Sequence, residues 1–244
     1  MPPLRPVLPR DGLAPSRVAR FSRIAFRHCT RRDSENRATR RLGFRAAPRI
    51  IAGVDRVPVF TIGYGAREID AFIAALQRYR IEFLLDVRSR PYSRYKPDFS
   101  KDALAEHLRR AGIRYVFMGD TLGGRPADPT CYDAHDKIDY AQVETRAFFR
   151  EGLERVARAH EQGRRVVLMC SEGKPEACHR SVLIGKALAR RGIPVAHIDE
   201  HDELLSQEDV LPRLTGGQLS FFGDDMLRAT SRKRYERPDE DEDE

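Results

Sequence analysis

The sequence has no long apolar segment and little cysteine. None of its apolar runs approaches the roughly 18 residues that a membrane-spanning helix needs, and its first residues hold no apolar stretch typical of a secretory signal. Four cysteines at irregular spacing are too few for a disulfide framework in a chain of 244 residues. These absences predict a cytoplasmic protein without membrane association, whose thiols stay reduced and available for chemistry.

Positive charge is concentrated near the start of the chain. The net charge is +7, yet residues 1–56 contain 14 Arg, no Lys and four acidic residues, a net charge of +10 for that segment. The rest of the chain therefore carries −3, and residues 57–238 carry +3 once the six terminal acids are set aside. Because this body is only mildly basic, the pI of about 9.4 does not indicate a nucleic-acid-binding domain.

The two ends of the chain lack the periodicity of stable elements. Residues 1–56, rich in Arg, Pro and Ala, are predicted to be a disordered extension. An Arg-rich, acid-poor segment also resembles an organelle transit peptide or a nucleic-acid-binding arm. A third interpretation is a translation start placed too far upstream, with a Val codon as the true initiator. Residues 216–244 are predicted to be a C-terminal segment that ends in a disordered acidic tail.

Residues 57–215 alternate between strand and helix patterns. This alternation predicts one α/β domain with an open, mostly parallel sheet of about five strands and flanking helices, a Rossmann-like three-layer arrangement. The predicted strands are 57–61, 81–87, 115–118, 166–169 and 195–198, and the predicted helices are 69–79, 99–111, 141–162 and 182–189.

Polar side chains follow the predicted strands. Parallel strands bring their carboxyl ends to one edge of the sheet, where open α/β folds bind ligands, so these residues are expected to converge. Tyr64 follows the first strand, and Asp86 with Arg88 and Arg90 follows the second. Arg125 follows the third. The alternative is that polar residues merely crowd wherever strands end.

The most informative segment follows the fourth strand. Cys170 ends that strand, and Cys178, His179 and Arg180 begin the next helix. A nearby arginine and a helix N-terminus both favour a thiolate at Cys170. The alternatives are an inert buried thiol, a reversible Cys170–Cys178 disulfide, and half of a metal site.

Several named thiol chemistries do not match this loop. A phosphatase loop of the C-x5-R kind needs Arg at the position of Glu176, and a thioredoxin-like C-x-x-C is absent. The loop is also longer than the persulfide-carrying loop of a rhodanese. Zinc ligands usually stand two to four residues apart in two pairs, so no metal ligand is predicted.

Cationic groups near the predicted site suit an anion. Arg88, Arg125 and Arg180 are the predicted anion clamp, with Arg90 beside them, because guanidinium groups bind phosphate or carboxylate in a bidentate manner. The predicted anion pocket also includes Arg94 and Lys96. Tyr92 and Tyr95 lie between these cations and favour contact with a nucleotide base or a single strand. Glu172 is a candidate general acid or base, and Asp86 a group that orients an arginine or a substrate hydroxyl.

A family resemblance rests on six motifs that occur in order. They are Phe60-Thr-Ile-Gly-Tyr-Gly65, Leu85-Asp-Val-Arg-Ser-Arg-Pro-Tyr-Ser93, Lys96-Pro-Asp-Phe99, Leu122-Gly-Gly124, Met169-Cys-Ser-Glu172 and Cys178-His-Arg-Ser181. Together they resemble the DUF488 family of small bacterial and archaeal α/β proteins. The resemblance covers about residues 58–200 and implies a compact cytosolic domain whose polar site includes both cysteines. Tyr64 stands where many members carry His, so the resemblance supplies no role for it, and its place after the first strand makes it a predicted substrate-binding residue.

The leading hypothesis is a thiol-dependent enzyme that acts on an anionic, phosphorylated or nucleotide-like substrate. Cys170 is the predicted nucleophile, Cys178 its partner and Glu172 the predicted proton-transfer group. His179 is a further candidate catalytic residue, with a structural role for its ring as the alternative. One alternative is a non-catalytic nucleotide- or nucleic-acid-binding module that uses residues 88–96 and the Arg-rich extension. The other is a redox or metal switch built on Cys170 and Cys178. No cofactor is indicated by the sequence.

Overall fold

The described part of the chain forms one mixed sheet covered by helices on both faces. The computed structural model of the protein describes residues 57–214, 230–231 and 233–235. The predictions for the Arg-rich extension and the acidic tail fall outside these residues. No described helix is long and apolar enough to cross a membrane.

Six strands build the sheet in the order β3-β2-β4-β1-β5-β6. The strands are β1 Val59–Gly63, β2 Phe83–Asp86, β3 Arg114–Phe117, β4 Val166–Cys170, β5 Val195–Ile198 and β6 Leu204–Ser206. The first five are parallel, which confirms the predicted α/β class. β6 runs antiparallel to β5 and was not predicted, because its three residues are too few for a periodic pattern.

Helices cover both faces, as the three-layer prediction requires. They are α1 Ile69–Arg78, α2 Lys101–Arg110, α3 Gly119–Leu122, α4 Tyr140–Thr145, α5 Ala147–Glu161, α6 Lys186–Arg190 and α7 Gln207–Leu214. α1 and α2 bury Phe72 and Leu104 in the cluster on one face. α3 to α6 contribute Leu122, Leu153 and Leu188 to the cluster on the other. β1 and β4 are buried along their whole length, because they lie at the centre of the sheet.

Two helices differ from the sequence prediction. The predicted helix 141–162 is two helices, because Arg146 between them is extended (φ −78°, ψ 143°). From there its side chain pairs with Asp128, at 3.3 Å. The predicted helix 182–189 begins as a π-helical turn, Arg180–Gly185, and continues as α6. π-helical turns are rare and occur frequently at functional sites.

The strand order determines where the site lies. β4 pairs with β2 on one side and with β1 on the other. Gly63 at the end of β1 stands level with Cys170, and Asp86 at the end of β2 stands level with Met169. The carboxyl ends of three strands therefore surround the sulfur of Cys170.

Candidate active site

Backbone hydrogen bonds hold Cys170 between its two neighbouring strands. The amide of Tyr64 donates to the Cys170 carbonyl oxygen (3.1 Å), and the amide of Val87 donates to the Met169 oxygen (3.1 Å). Gly63 has no room for a side chain, since a Cβ there would stand 1.7 Å from the Glu172 carbonyl oxygen. The loop after Cys170 therefore rests directly on the main chain of β1.

Two sulfurs and one imidazole nitrogen meet at this edge of the sheet. Nδ1 of His179 lies 3.9 Å from Sγ of Cys170 and 3.6 Å from Sγ of Cys178. Nε2 of His179 lies 3.1 Å from the Val87 carbonyl oxygen, which can only accept, so Nε2 carries a hydrogen. Nδ1 is therefore a lone pair facing both sulfurs when the ring is neutral, and a donor to them when it is protonated. We call Cys170, Cys178 and His179 the thiol cluster.

Local structure brings the three side chains of the thiol cluster together. A 3₁₀ turn, Pro175–Ala177, reverses the loop, and the Cys178 amide closes it on the Pro175 oxygen (3.1 Å). The imidazole of His179 packs against Gly124, where a Cβ would stand 2.9 Å from Nδ1. A larger residue at position 124 would therefore displace the ring from the sulfurs.

The two cysteines differ in acidity. A hydrogen bond from the Cys178 thiol lowers the pKa of Cys170 well below its usual value, and the charges of His179 and Arg180 act in the same direction against burial. Burial raises the pKa of Cys178, and its neighbour Cys170 raises it further. Cys170 is therefore the thiolate of the pair and Cys178 the thiol that donates to it.

Arg88 is held by a buried carboxylate. Its Nε and one terminal nitrogen donate to the two oxygens of Asp86, at 2.8 and 2.6 Å. Tyr115 donates to the same carboxylate at 2.8 Å. Asp86 is fully buried and Arg88 is 5% exposed. The other terminal nitrogen of Arg88 has no hydrogen-bond partner among the described residues.

A cavity of about 650 Å³ opens in front of the thiol cluster. Among the described residues, four cations line it, namely Arg88, Arg90, Arg125 and Lys233, against the single carboxylate of Glu172. Its other lining residues are Tyr64, Ser89, Tyr92, Gly124, Tyr140, Cys170, Ser171, Ala177, Cys178, His179, Ser231 and Tyr235. The cavity therefore combines an acidic thiol with a surplus of positive charge.

Most of the predicted site residues line this cavity, and five do not, namely Asp86, Arg94, Tyr95, Lys96 and Arg180. Asp86 is sealed behind Arg88, so it orients that guanidinium. Arg180 is fully buried, and its guanidinium donates to the carbonyl oxygens of Glu172 and Gly173. Arg180 therefore fixes the loop between Cys170 and Cys178, which we call the thiol loop, through two of its carbonyl oxygens and does not line the cavity. Lys96 pairs with Glu68 at 2.6 Å, and Arg94 is outside the lining.

The C-terminal segment also contributes to the cavity, which its sequence did not predict. The Ser231 amide donates to the Ile138 oxygen (2.9 Å), and the Tyr235 amide donates to the Asp136 oxygen (2.9 Å). The guanidinium of Arg125 lies 4.2 Å from the centre of the Tyr235 ring. The basic residues at 232–234 directly before the acidic tail were the available signal, and their charge sets them apart from that tail.

Comparison with known protein families assigns the central part of the chain. Residues 68–187 match a family model described as domain of unknown function DUF488. This stretch is a DUF488 domain. No curated protein and no solved structure matches the chain.

The DUF488 domain contains most of the site. Arg88, Arg125 and the thiol cluster fall inside the match. Tyr64 precedes it, and the cavity residues Lys233 and Tyr235 follow it. The family description supplies no reaction, so the chemistry has to be argued from the geometry.

Proposed function

We propose that the protein is a thiol-dependent enzyme that acts on an anionic substrate, with Cys170 as its nucleophile. The observation that supports this most directly is the position of the Cys170 thiolate in a cavity lined by four cations. Thiolates are the reactive form of cysteine, and a lowered pKa keeps that form populated at neutral pH.

The covalent step requires only groups in the cavity. The sulfur of Cys170 donates an electron pair to an electrophilic atom of the substrate, and a new bond to sulfur forms. The bond between that atom and its leaving group breaks, and the leaving group departs with the electron pair. The Cys178 thiol, whose sulfur lies within 4.8 Å of that of Cys170, can donate a proton to it. Glu172, which lines the cavity, can activate the water that releases the adduct.

The cations position the anionic part of the substrate. Arg88 lines the cavity with its plane fixed by Asp86, and its second terminal nitrogen, which is buried, has no hydrogen-bond partner among the described residues. Arg90, Arg125 and Lys233 are more exposed and add attraction that salt screens. Arg180 is a positioning residue in this proposal, since it acts through the loop carbonyls.

Two alkylating agents of the same size test the proposal. Iodoacetate carries a negative charge and iodoacetamide is neutral, so their rate ratio measures anion attraction at the sulfur. We expect Cys170 to react with iodoacetamide faster than the thiol of a cysteine peptide does at pH 7. We also expect its iodoacetate-to-iodoacetamide rate ratio to be about tenfold higher than that of the peptide. Peptide mass spectrometry assigns each rate to its cysteine. Cys131, which is buried and has its pKa raised by burial, is the internal unactivated thiol.

Matched arginine variants provide the control. Arg125→Gln removes a lining cation and should lower the ratio, whereas Arg94→Gln removes an exposed cation outside the cavity and should not. A Cys170 no faster than the peptide thiol overturns the nucleophile. A ratio equal to that of the peptide overturns the anionic substrate.

A nucleic-acid-binding role is the second candidate, favoured by two exposed tyrosines. Tyr92 is 73% and Tyr95 90% exposed. Stacking of a base on an aromatic ring contributes about 1–3 kcal/mol. Fluorescence anisotropy with a labelled single-stranded oligonucleotide should then show salt-dependent binding that Tyr92→Ala and Tyr95→Ala weaken. Absent or salt-independent binding removes this candidate.

A further inference from the structure

The thiol cluster has the composition of a metal-binding site. The ligand atoms of Cys170, Cys178 and His179 all lie within 4.8 Å of one another. Two thiolates and one imidazole suit zinc and other borderline or soft transition-metal ions. The sequence left a metal switch on the two cysteines as an alternative, although the ligand spacing argued against it. The strand end and the π-helical turn bring the three ligands together in space.

The two sulfur-to-nitrogen distances within the cluster agree with tetrahedral coordination. With Zn–S near 2.3 Å and Zn–N near 2.0–2.1 Å, a tetrahedral ion requires about 3.6 Å between a sulfur and the nitrogen. The two observed separations from Nδ1 of His179 are 3.6 Å to Cys178 and 3.9 Å to Cys170. These two separations therefore need to change by no more than a few tenths of an ångström to accept an ion, and the two sulfurs lie within 4.8 Å of each other.

The second nitrogen of His179 is an independent indication. Nε2 donates to the Val87 carbonyl oxygen, which leaves the Nδ1 lone pair directed at the sulfurs. Imidazoles that bind metals almost always donate their other N–H to a carbonyl or carboxylate in this way. Gly124 supports the face of the ring, so its orientation is set before any ion binds.

We propose that Cys170, Cys178 and His179 bind one divalent ion of the zinc type, whose fourth coordination position faces the cavity, and that this ion switches off the thiol chemistry. The inference rests on the proposed function, because it concerns the same sulfur. Binding converts any thiol of the pair to a thiolate, releases its proton to solvent, and changes no oxidation state. The Cys170 electron pair is then shared with the ion and unavailable to a substrate.

Cobalt and zinc test this on the full-length, reduced and chelator-treated protein. Co²⁺ should bind one per chain and produce sulfur-to-cobalt charge-transfer absorption in the near ultraviolet. One equivalent of Zn²⁺ should slow iodoacetamide alkylation of Cys170 by at least about tenfold, and a chelator should restore it. Absence of the charge-transfer band, or an unchanged alkylation rate at saturating zinc, overturns the proposal.

Variants identify the ligands. Cys178→Ser should remove most of the charge-transfer intensity, and His179→Gln should weaken Co²⁺ affinity by about 10–100-fold. His201→Gln, an exposed histidine away from the cluster, is the matched control. Thermal melting shows whether each variant is folded, and the wild-type stoichiometry stands even if Cys178→Ser is not. Unchanged cobalt affinity in folded His179→Gln contradicts the assigned ligand set.

The two proposals fail separately. Metal-free protein with a fast Cys170 that zinc does not slow retains the proposed function and loses the metal site. Protein that binds cobalt through this cluster, but whose metal-free Cys170 reacts no faster than a peptide thiol, retains the metal site and loses the thiol enzyme and its switch.

Discussion

Two histidines, one in strand β5 and one at the start of the π-helical turn that follows β4, have opposite surroundings. His197 in β5 is fully buried, and its ring nitrogens lie 2.7 Å from the Thr61 hydroxyl and 2.8 Å from the Gln207 side-chain oxygen. His179 lines the cavity, with one nitrogen on a carbonyl and the other facing two sulfurs. We call His197, Thr61 and Gln207 the core histidine cluster.

The difference separates a structural group from a reactive one. Both nitrogens of His197 are satisfied by neutral partners, and burial lowers its pKa to about 3. This ring stays uncharged and its hydrogen bonds are complete. Among the described residues, the partners of Nδ1 of His179 are the two cysteine sulfurs. These sulfurs can gain or lose a proton and can bind a substrate atom or an ion.

Removing each ring should give opposite effects. We expect His197→Ala to lower the free energy of unfolding by about 2–4 kcal/mol, because it leaves a cavity and unpaired polar groups, without altering the Cys170 alkylation rate. His179→Ala should cost less than about 1 kcal/mol and slow alkylation at pH 7 by about tenfold. Urea unfolding and alkylation rates measure both. Equal stability losses in the two variants would contradict the distinction.

Acid should destabilise the protein through the core histidine cluster. His197 has a pKa of about 3 in the folded protein and 6.5 as its reference value, so between these pH values only the unfolded chain takes up the proton. Stability is therefore complete above pH 6.5 and decreases as the pH falls. From pH 6.5 to 5 the loss should be roughly 2 kcal/mol.

The matched variant isolates that contribution. His197→Gln cannot take up the proton, so its free energy of unfolding should depend less steeply on pH than that of the wild type over this interval. Urea titrations at several pH values give the slopes. Identical slopes for wild type and His197→Gln would be incompatible with a buried neutral ring.

The alkylation rate of Cys170 should respond weakly to pH. A peptide thiol with a pKa of about 8.5 loses about twentyfold in rate between pH 9 and 7 as its thiolate is protonated. Because the pKa of Cys170 is lowered, its rate should change less than about twofold over this range. Cys131 should not share this plateau, since burial raises its pKa. A Cys170 profile that follows the peptide would remove the acidic thiolate.

The smallest expected effect concerns the C-terminal segment. Lys233→Met removes an exposed cavity cation and should lower the iodoacetate-to-iodoacetamide ratio at Cys170 by about two- to fivefold. Lys174→Met removes an exposed lysine of the thiol loop outside the lining and should leave the ratio unchanged. The difference should shrink as salt is raised. Equal effects from the two variants would exclude a specific role for Lys233.

Strand and helix periodicity predicted the class of fold and the edge on which the polar residues meet. Cys170, Arg88 and Arg125 were placed there because each follows a strand. The structural role of Arg180 was not predictable, since sequence spacing does not reveal which way a side chain turns. Lys233 and Tyr235 were missed because they reach the cavity through long-range hydrogen bonds to residues 136–138. The break at Arg146 was missed because the apolar periodicity continues across it, while the backbone there is extended and the side chain pairs with Asp128.

The close approach of Gly63 to Glu172 fixes the reactive part of the site independently of the other residues that line the cavity. The main chains of β1 and of the loop after Cys170 are in direct contact at that point. The position of the Cys170 sulfur at the sheet edge is therefore determined by two backbones. Ser89, Tyr92 and Lys233 also line the cavity and take no part in that contact. Exchanges among those outer residues can retune what enters while the reactive atom keeps its place.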